Sequence, residues 1–274
     1  MEESQNRGTS SVFDTLREKL ESFPGKVSCV YRGLVTGETF TFGADTVHPS
    51  ASVIKIFLMA FVFQLEKEGK LSLLERVPLK KENMAESCGV LNYLKDVKEL
   101  SVRDLVELMI IISDNAATNV LLELVGMEPL QRFLSEELQL TATRFQRKMM
   151  DFEAAKKGLQ NYTSARETAD LLEKIYRGEL ISREASEKML QILKEQQFDN
   201  LIPAHLDGIV PERAIAHKTG GLEHVVHDAG IIDYGKEPFL ICFFGSEVDV
   251  PAYGKLIGDA SYEIYQAVQG LPVE

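Results

Sequence analysis

The spacing of hydrophobic and polar positions changes twice along the chain. The stretch VSCVYRGLVTGETFTFGA, residues 27–44, contains two β-rich runs around a Thr-Gly pair and predicts a β-hairpin. From about residue 48 to 200 the apolar positions recur at helical spacing, and after Pro203 the strand period returns. A short amphipathic helix over residues 12–22 precedes this arrangement, and a final helix, AYGKLIGDASYEIYQAV, closes it.

Several of the predicted helices carry end signals. Ser10 or Ser11 is a candidate cap for the first helix, Ser101 or Asp104 begins a later one, and glycines end others. The helical segments of the middle region are SVIKIFLMAFVFQLEKEG, SVRDLVELMIIIS, AATNVLLELVG, MEPLQRFLSEEL, SARETADLLEKIYRG and SREASEKMLQILKEQQ. The strands that follow are RAIAHKTGG, VVHDAGIIDYG and KEPFLICFFGSEV.

Strands at both ends of the chain most simply share one antiparallel sheet. We therefore predict an α+β fold with a five-stranded antiparallel sheet flanked by the terminal helices. Residues 1–45 and 206–274 form this lobe, and residues 46–205 form an inserted all-helical lobe. The lobes should pack as one unit, with a site at their junction.

Composition narrows the classes of function. The 274 residues are 45% hydrophobic and 26% charged, with a net charge of -12 and no basic block, which argues against nucleic acid as a partner. Lys55 interrupts the most apolar run, so we expect no membrane span. The polar, acidic start MEESQNRGTSSVFDTLREKL predicts no signal peptide in this sequence, although the alternative that a leader precedes it stays open.

The cysteines and histidines do not predict a metal site. Cys29, Cys88 and Cys242 show neither paired metal spacing nor an even number for disulfides. His224 and His227 are three apart but have no cysteine or acidic ligand at matching spacing, which favours polar turn and strand residues. We expect no metal and no organic cofactor.

Ser52 and Lys55 stand in the first turn of an otherwise apolar helix. Residues three apart lie side by side on a helix, so a partly neutral Lys55 amine could take the proton of the Ser52 hydroxyl. The helix N-terminus would favour the negative charge that develops there. The alternative is a capping serine followed by a lysine that extends to solvent.

Ser113, Asp114 and Asn115 interrupt two apolar helical runs. They could form a turn in which Ser113 and Asp114 cap the next helix. In the functional interpretation, Ser113 shuttles a proton and Asn115 faces an amide carbonyl. Both interpretations can hold together.

Lys218, Thr219 and Gly220 end a predicted strand and are followed by Gly221. Beside a cleft, this edge offers a cation, a hydroxyl and a backbone that a ligand can approach closely. The alternative is an ordinary turn with an exposed lysine.

Together, S-x-x-K, S-D-N and K-T-G in this order are the motifs of penicillin-recognising serine enzymes. The sequence resembles the class A β-lactamases in particular, in motif separations and in element order, over about residues 12–270. The resemblance implies that Ser52 is the nucleophile, Lys55 the base for acylation and Ser113 the donor to the leaving nitrogen. The backbone N–H groups of Ser52 and Gly221 would form the oxyanion hole.

The resemblance also implies how the substrate is held. Asn115 would bind its side-chain amide, and Lys218 with Thr219 would receive its carboxylate, while Gly220 and Gly221 complete the strand motif. The substrate would be a β-lactam or a peptidoglycan-like small molecule. We expect a monomer, and the family works in the periplasm or outside the cell.

One family element is missing from the sequence. Class A enzymes carry an E-x-x-L-N pattern whose glutamate positions the hydrolytic water, but here the expected position falls near Met149. Asp151 and Glu153 are the nearby candidates for a deacylation base, the alternative being solvated loop or helix-start acids. Arg147 could pair across the base of this loop with Glu167.

The favoured function is therefore β-lactam hydrolysis through an acyl-enzyme at Ser52. The alternative is a D-alanyl-D-alanine peptidase, an esterase-like enzyme or a slowly deacylating penicillin-binding protein, because these do not need the missing glutamate. A penicillin-binding sensor that stays acylated would need a segment that transmits the signal across a membrane, and the expected lack of a membrane span counts against this function.

Overall fold

The protein is represented by a computed structural model that describes residues 2–85 and 88–271, with side chains from residue 10 onward. The helices are α1 (Glu2–Ser22), α2 (Lys55–Lys67), α3 (Val102–Ile111), α4 (Asn115–Val125), α5 (Met127–Arg132), α6 (Phe152–Lys156), α7 (Ala165–Arg177), α8 (Arg183–Lys194) and α9 (Val250–Gln269). The strands are β1 (Lys26–Gly33), β2 (Thr39–Phe42), β3 (Val47–Pro49), β4 (Arg76–Pro78), β5 (Glu99–Ser101), β6 (Tyr162–Ser164), β7 (Ile215–Leu222), β8 (Val225–Ile232) and β9 (Phe239–Ser246). Within the described ranges, no helix combines the length and the apolar character needed to cross a membrane.

A five-stranded sheet joins the two ends of the chain. Its order is β2-β1-β9-β8-β7, and every neighbouring pair is antiparallel. The join lies between β1 and β9, where Val30 stands opposite Cys242. This arrangement confirms the predicted fold class.

Helices cover both faces of the sheet, which is why β8 and β9 are buried at every position. On one face α1 and α9 contact each other over a core that includes Leu16, Tyr31 and Ile257. On the other face α7 packs against β1, β8 and β9, and a second core continues from the sheet into the inserted helices. Burial on both faces therefore fixes the register of the strands.

The structure differs from the sequence prediction in two local features. Helix α1 begins at Glu2, so Ser10 and Ser11 lie inside the helix and do not cap it. Two short antiparallel pairs, β3 with β6 and β4 with β5, lie in the stretch predicted to be all helical. Each of these strands has three residues, which is too short for an alternating pattern to be recognised. The division into two lobes stays a prediction.

Strand β7 is an edge of the large sheet, and the single turn of 3₁₀-helix Ala51–Ile54 packs against it. Gly220 permits this contact, because a Cβ there would lie 3.1 Å from the Val53 nitrogen and 3.2 Å from the Ala51 Cβ. A side chain at this position would separate β7 from the turn that carries Ser52.

Candidate active site

Lys55 is the first residue of α2 and is completely buried. Its Nζ lies 2.7 Å from the Ser113 carbonyl oxygen, 3.0 Å from Ser113 Oγ and 2.8 Å from Asn115 Oδ1. Ser113 and Asn115, which follow Lys55 by 58 and 60 positions in the chain, therefore both contact its amine.

These contacts suit both protonation states of Lys55. An ammonium donates to all three oxygens. A neutral amine donates to the Ser113 carbonyl and to Asn115 Oδ1, and its lone pair accepts from the Ser113 hydroxyl. The geometry therefore provides a direct route for a proton between Lys55 and Ser113.

Ser52 is half-buried in the turn Ala51–Ile54, and its hydroxyl has no hydrogen bond to the residues that the structure describes. Ala51 has a φ of 45°, in the left-handed region that a residue with a Cβ rarely adopts. Such a conformation costs on the order of 1 kcal/mol and persists only where the surroundings enforce it. The sequence places Ser52 on the helix of Lys55, whereas the structure places it in the tighter turn before that helix.

The segment before Ser52 is held from two sides. The Ser50 N–H donates to the Asn161 carbonyl at 2.9 Å, and His227 Nε2 lies 2.7 Å from the Pro49 carbonyl. His227 Nδ1 accepts from the Gly245 N–H at 3.1 Å and lies 2.9 Å from the Val226 carbonyl, and the shorter contact with Pro49 favours the tautomer with its proton on Nε2. Burial lowers the pKa of His227 to about 3, so this arrangement persists at neutral pH.

Ser113 and Asp114 form the turn between α3 and α4. Ser113 has a φ of 56°, and the Asp114 carboxylate caps α4 by accepting from the Ala117 N–H at 2.9 Å. Its other oxygen accepts from the N–H groups of Val90 and Leu91 at 2.7 and 2.8 Å. The capping interpretation is therefore correct for Asp114, and the same carboxylate fixes the loop that faces Ser113.

The K-T-G motif lies on β7, as its strand pattern predicts. Lys218 is completely buried, and its Nζ donates to the Thr219 carbonyl at 2.9 Å. Thr219, Gly220 and Gly221 line the same cavity as Ser52. Lys218 itself is not among the residues that line the cavity.

Burial disfavours the charged form of both lysines. It lowers the pKa of Lys218 to about 8, against the weaker opposing effect of Asp228. Burial, together with the charge of Lys218, lowers the pKa of Lys55 well below its ordinary value. The burial of both amines therefore favours the neutral form of Lys55 more than that of an exposed lysine, and Lys218 adds to this effect by its charge.

The cavity has a volume of about 460 Å³. The motif residues that line it are Ser52, Ser113, Asn115, Thr219, Gly220 and Gly221. The loop before α6 contributes Arg147, Met149 and Met150, and α6 contributes Phe152. Gln160 and Asn161 also line the cavity. Cys88 also lines the cavity, and its thiol donates to the Ile112 carbonyl. The volume suits a small molecule.

Met149 occupies the place where the resemblance leads one to expect a glutamate. Its backbone N–H donates to Asn119 Oδ1 at 2.8 Å, and its carbonyl accepts from Asn119 Nδ2 at 3.1 Å. Asn119 is four residues after Asn115 on α4 and therefore on the same face of the helix. That spacing is the signal by which the sequence could have identified Asn119.

The two candidate deacylation bases do not line the cavity. Asp151 caps the short helix α6 by accepting from the Ala154 N–H at 2.9 Å. Glu153 has a side chain that is 75% exposed, and it pairs with Lys156. Both positions agree with the structural alternatives for these acids.

The predicted pair between Arg147 and Glu167 is wrong. Glu167 accepts hydrogen bonds from the backbone N–H groups of Thr141, Ala142 and Thr143. Arg147 Nε instead donates to Gln160 Oε1 at 3.0 Å. The carboxylate is occupied by backbone donors that follow α5, which the sequence alone does not place near it.

His224 and His227 do not lie close enough to other described ligand residues to form a metal site. His227 contacts Pro49 and Gly245, whereas His224 is exposed in the hairpin turn with a φ of 57°. In the part of the chain that the structure describes, no group of three His, Cys, Asp or Glu residues could hold a metal ion.

This arrangement suits acyl transfer. The Ser52 hydroxyl lies in a turn fixed by hydrogen bonds, and the buried Lys55 amine, whose pKa is lowered, is bonded to the Ser113 hydroxyl. The edge strand β7 lines the same cavity.

Sequence comparisons give matches along most of the chain. The profile of the beta-lactamase enzyme family matches residues 11–268. The beta-lactamase BRO-1 of Moraxella catarrhalis is 26% identical over 225 residues, which cover 76% of this chain and 66% of that enzyme. The chain thus spans just under two thirds of the length of this relative.

Solved structures share the fold over almost the full chain. PBP-A is 30% identical with a TM-score of 0.83, and the alignment covers 95% of this chain and 97% of PBP-A. A beta-lactamase from Sphaerobacter thermophilus is 29% identical with a TM-score of 0.84, and the alignment covers 97% of this chain and 99% of that enzyme.

We predict that Asp114→Ala lowers the free energy of unfolding by about 3 kcal/mol, because it leaves three backbone N–H groups without their acceptor. Chemical denaturation measures this change. Asp104→Ala is the control, since Asp104 accepts one longer bond, at 3.3 Å, in the capping box of α3. An equal loss of unfolding free energy in the two variants would contradict the role of Asp114 as the acceptor for three backbone N–H groups.

Proposed function

The chain belongs to the beta-lactamase enzyme family, and we propose that it is a serine hydrolase that forms an acyl-enzyme at Ser52 with β-lactams. Membership confirms the resemblance that the motifs predict. The observation that carries the proposal is the buried Lys55 amine, which is bonded to Ser113 and Asn115 at one end of the cavity that Ser52 lines.

In the proposed acylation, Ser52 Oγ attacks the lactam carbonyl and its proton passes to neutral Lys55. The N–H groups of Ser52 and Gly221 stabilise the oxyanion. As the C–N bond breaks, the proton moves from Lys55 to Ser113 and the Ser113 hydroxyl proton passes to the leaving nitrogen. The 3.0 Å contact between Lys55 Nζ and Ser113 Oγ supports this relay.

Substrate binding is proposed for Asn115 and for the end of β7, which line the same cavity as Ser52. Asn115 Oδ1 is bonded to Lys55, which leaves its Nδ2 to donate to the amide carbonyl of the substrate. The Thr219 hydroxyl would receive the substrate carboxylate, and the buried charge of Lys218 would attract it.

Deacylation should be slow compared with acylation. A hydrolytic water needs a base near the ester, but Met149 is apolar, Asp151 caps α6 and Glu153 is exposed. This observation favours a second candidate, a D-alanyl-D-alanine peptidase, an esterase-like enzyme or a slowly deacylating penicillin-binding protein that uses the same serine.

Intact-mass spectrometry of the protein mixed with excess benzylpenicillin tests the proposal. We expect an adduct of one penicillin mass that persists over many minutes and is absent in Ser52→Ala. Chromogenic cephalosporin turnover in the same samples separates the candidates, because rapid turnover would favour a β-lactamase with another deacylation base. No adduct together with no turnover would exclude β-lactams as substrates.

Met149→Glu should increase the rate of deacylation by about tenfold or more, because it places a carboxylate on the cavity wall at a backbone position fixed by Asn119. Decay of the penicillin adduct measures this rate. Met149→Gln is the matched control, with similar size and no basic group. Equal decay in both variants would contradict a missing base as the cause of slow deacylation.

The acylation rate should have a bell-shaped pH dependence. Protonation of Lys55 at low pH removes the base, although its lowered pKa keeps it neutral over a wider range than an ordinary lysine. Above about pH 8, Lys218 loses its proton and with it the attraction for an anionic substrate. Lys218→Arg should move the alkaline limb to higher pH. Stopped-flow measurements of the acylation rate between about pH 5 and pH 10 follow both limbs of the profile. An unchanged alkaline limb in Lys218→Arg would contradict the assignment of this limb to Lys218.

A further inference from the structure

Arg147 is a half-buried cation on the wall of the candidate active site. Its Nε donates to Gln160 Oε1 and its Nη1 to the Lys148 carbonyl at 3.2 Å. Among the described residues, no atom accepts from Nη2 and no carboxylate forms an ion pair with the guanidinium. An arginine stays charged when it is half-buried, so the guanidinium presents to the cavity a positive charge that no described carboxylate shares through an ion pair.

The nearby acids are engaged elsewhere. Glu167 is bonded to the backbone at residues 141–143, and Asp151 accepts from the Ala154 N–H at the start of α6. The Asp151 carboxylate therefore favours the charged form of Arg147 by electrostatic attraction and shares no hydrogen bond with it.

The loop holds Arg147 in place. Its backbone N–H donates to Asn161 Oδ1 at 3.1 Å, and its carbonyl accepts from Asn161 Nδ2 at 3.1 Å. Gln160, which receives the Nε–H, lines the same wall of the cavity, so the guanidinium lies at that wall. Asn161 also accepts from Ser50 through its carbonyl, which ties the position of Arg147 to the segment before Ser52.

The surroundings of Arg147 define the chemistry of a ligand. Among the described lining residues, the other charged side chain is Glu223, which is 91% exposed at the hairpin turn. Met149, Met150 and Phe152 continue the wall next to Arg147 and are apolar. A ligand group that fills this region would be apolar and would end in an anion.

We propose that Arg147 is a specificity-determining residue that binds a carboxylate on the acyl side chain of the substrate. This carboxylate is distinct from the one proposed for Thr219 and Lys218, so the preferred substrates are dianions. The inference rests on the proposed acylation of Ser52 and extends it to the substrate class.

Two penicillins that differ by one carboxylate test the inference. Benzylpenicillin carries a phenylacetyl side chain, and carbenicillin carries the same side chain with an added carboxylate. The measured quantity is the ratio of their second-order acylation rate constants, carbenicillin over benzylpenicillin. We expect Arg147→Gln to lower this ratio by about tenfold, the usual effect of losing one charge-assisted hydrogen bond at a half-exposed site. Arg147→Lys should lower it less.

Lys148→Gln is the matched control. Lys148 is the neighbouring cation on the same loop, bonded to Asn83 and Glu123 and outside the cavity wall. Its replacement removes the same charge, and the ratio should stay unchanged. A loop that is merely loosened in Arg147→Gln would slow both penicillins alike and leave the ratio intact.

The wild-type protein gives an independent readout that needs no substitution. Added salt should lower the ratio, because it screens the additional attraction of the second carboxylate. An unchanged ratio in Arg147→Gln, with adducts still forming at Ser52, would overturn the role of Arg147 and leave the proposed function intact. The absence of both adducts and turnover with the two penicillins would overturn the two together.

Discussion

The central constraint in this protein is the burial of two lysine amines, Lys55 and Lys218, at one end of the sheet. Two ammonium groups without water are costly, so the pKa values of both are lowered. The neighbouring carboxylates, Asp114 and Asp228, are buried too and partly offset the cost. The consequence is an amine of lowered pKa in contact with the Ser113 hydroxyl, which ordinary surface lysines do not provide.

The remaining structure serves to hold these groups. Lys55 is buried at the start of α2, where the eight apolar residues that follow it are buried as well. Lys218 is buried on β7. The missing side chain of Gly220 lets the turn of Ser52 approach β7, and the left-handed φ values of Ala51 and Ser113 are enforced by the surrounding contacts. Two of the strained backbone positions thus carry or adjoin the motif residues of the site, while the large sheet and its two cores provide the stability.

The sequence predicted the elements that depend on periodicity and on short motifs. The antiparallel sheet and the helices follow from the alternation and helical spacing of apolar residues, and the motifs identify Ser52, Lys55 and Ser113 by local order. It did not predict the pairing of Glu167, because backbone N–H groups 24 to 26 residues away compete with Arg147 for the carboxylate. Such competition is decided by how the loop folds and not by composition. The three-residue strands were missed for a similar reason, since long-range pairing defines them.

The ionisation of Lys55 is the most direct test of this view of the site. Nuclear magnetic resonance of protein with ¹³C-labelled lysine side chains, with Lys55→Arg and Lys218→Arg used for assignment, follows the Cε shifts of both residues with pH. We predict that Lys218 titrates near pH 8 and Lys55 well below the ordinary lysine value. Titration of Lys55 at about pH 10, as in a model peptide, would show that the amine is charged at neutral pH and would contradict its proposed role as the base for Ser52.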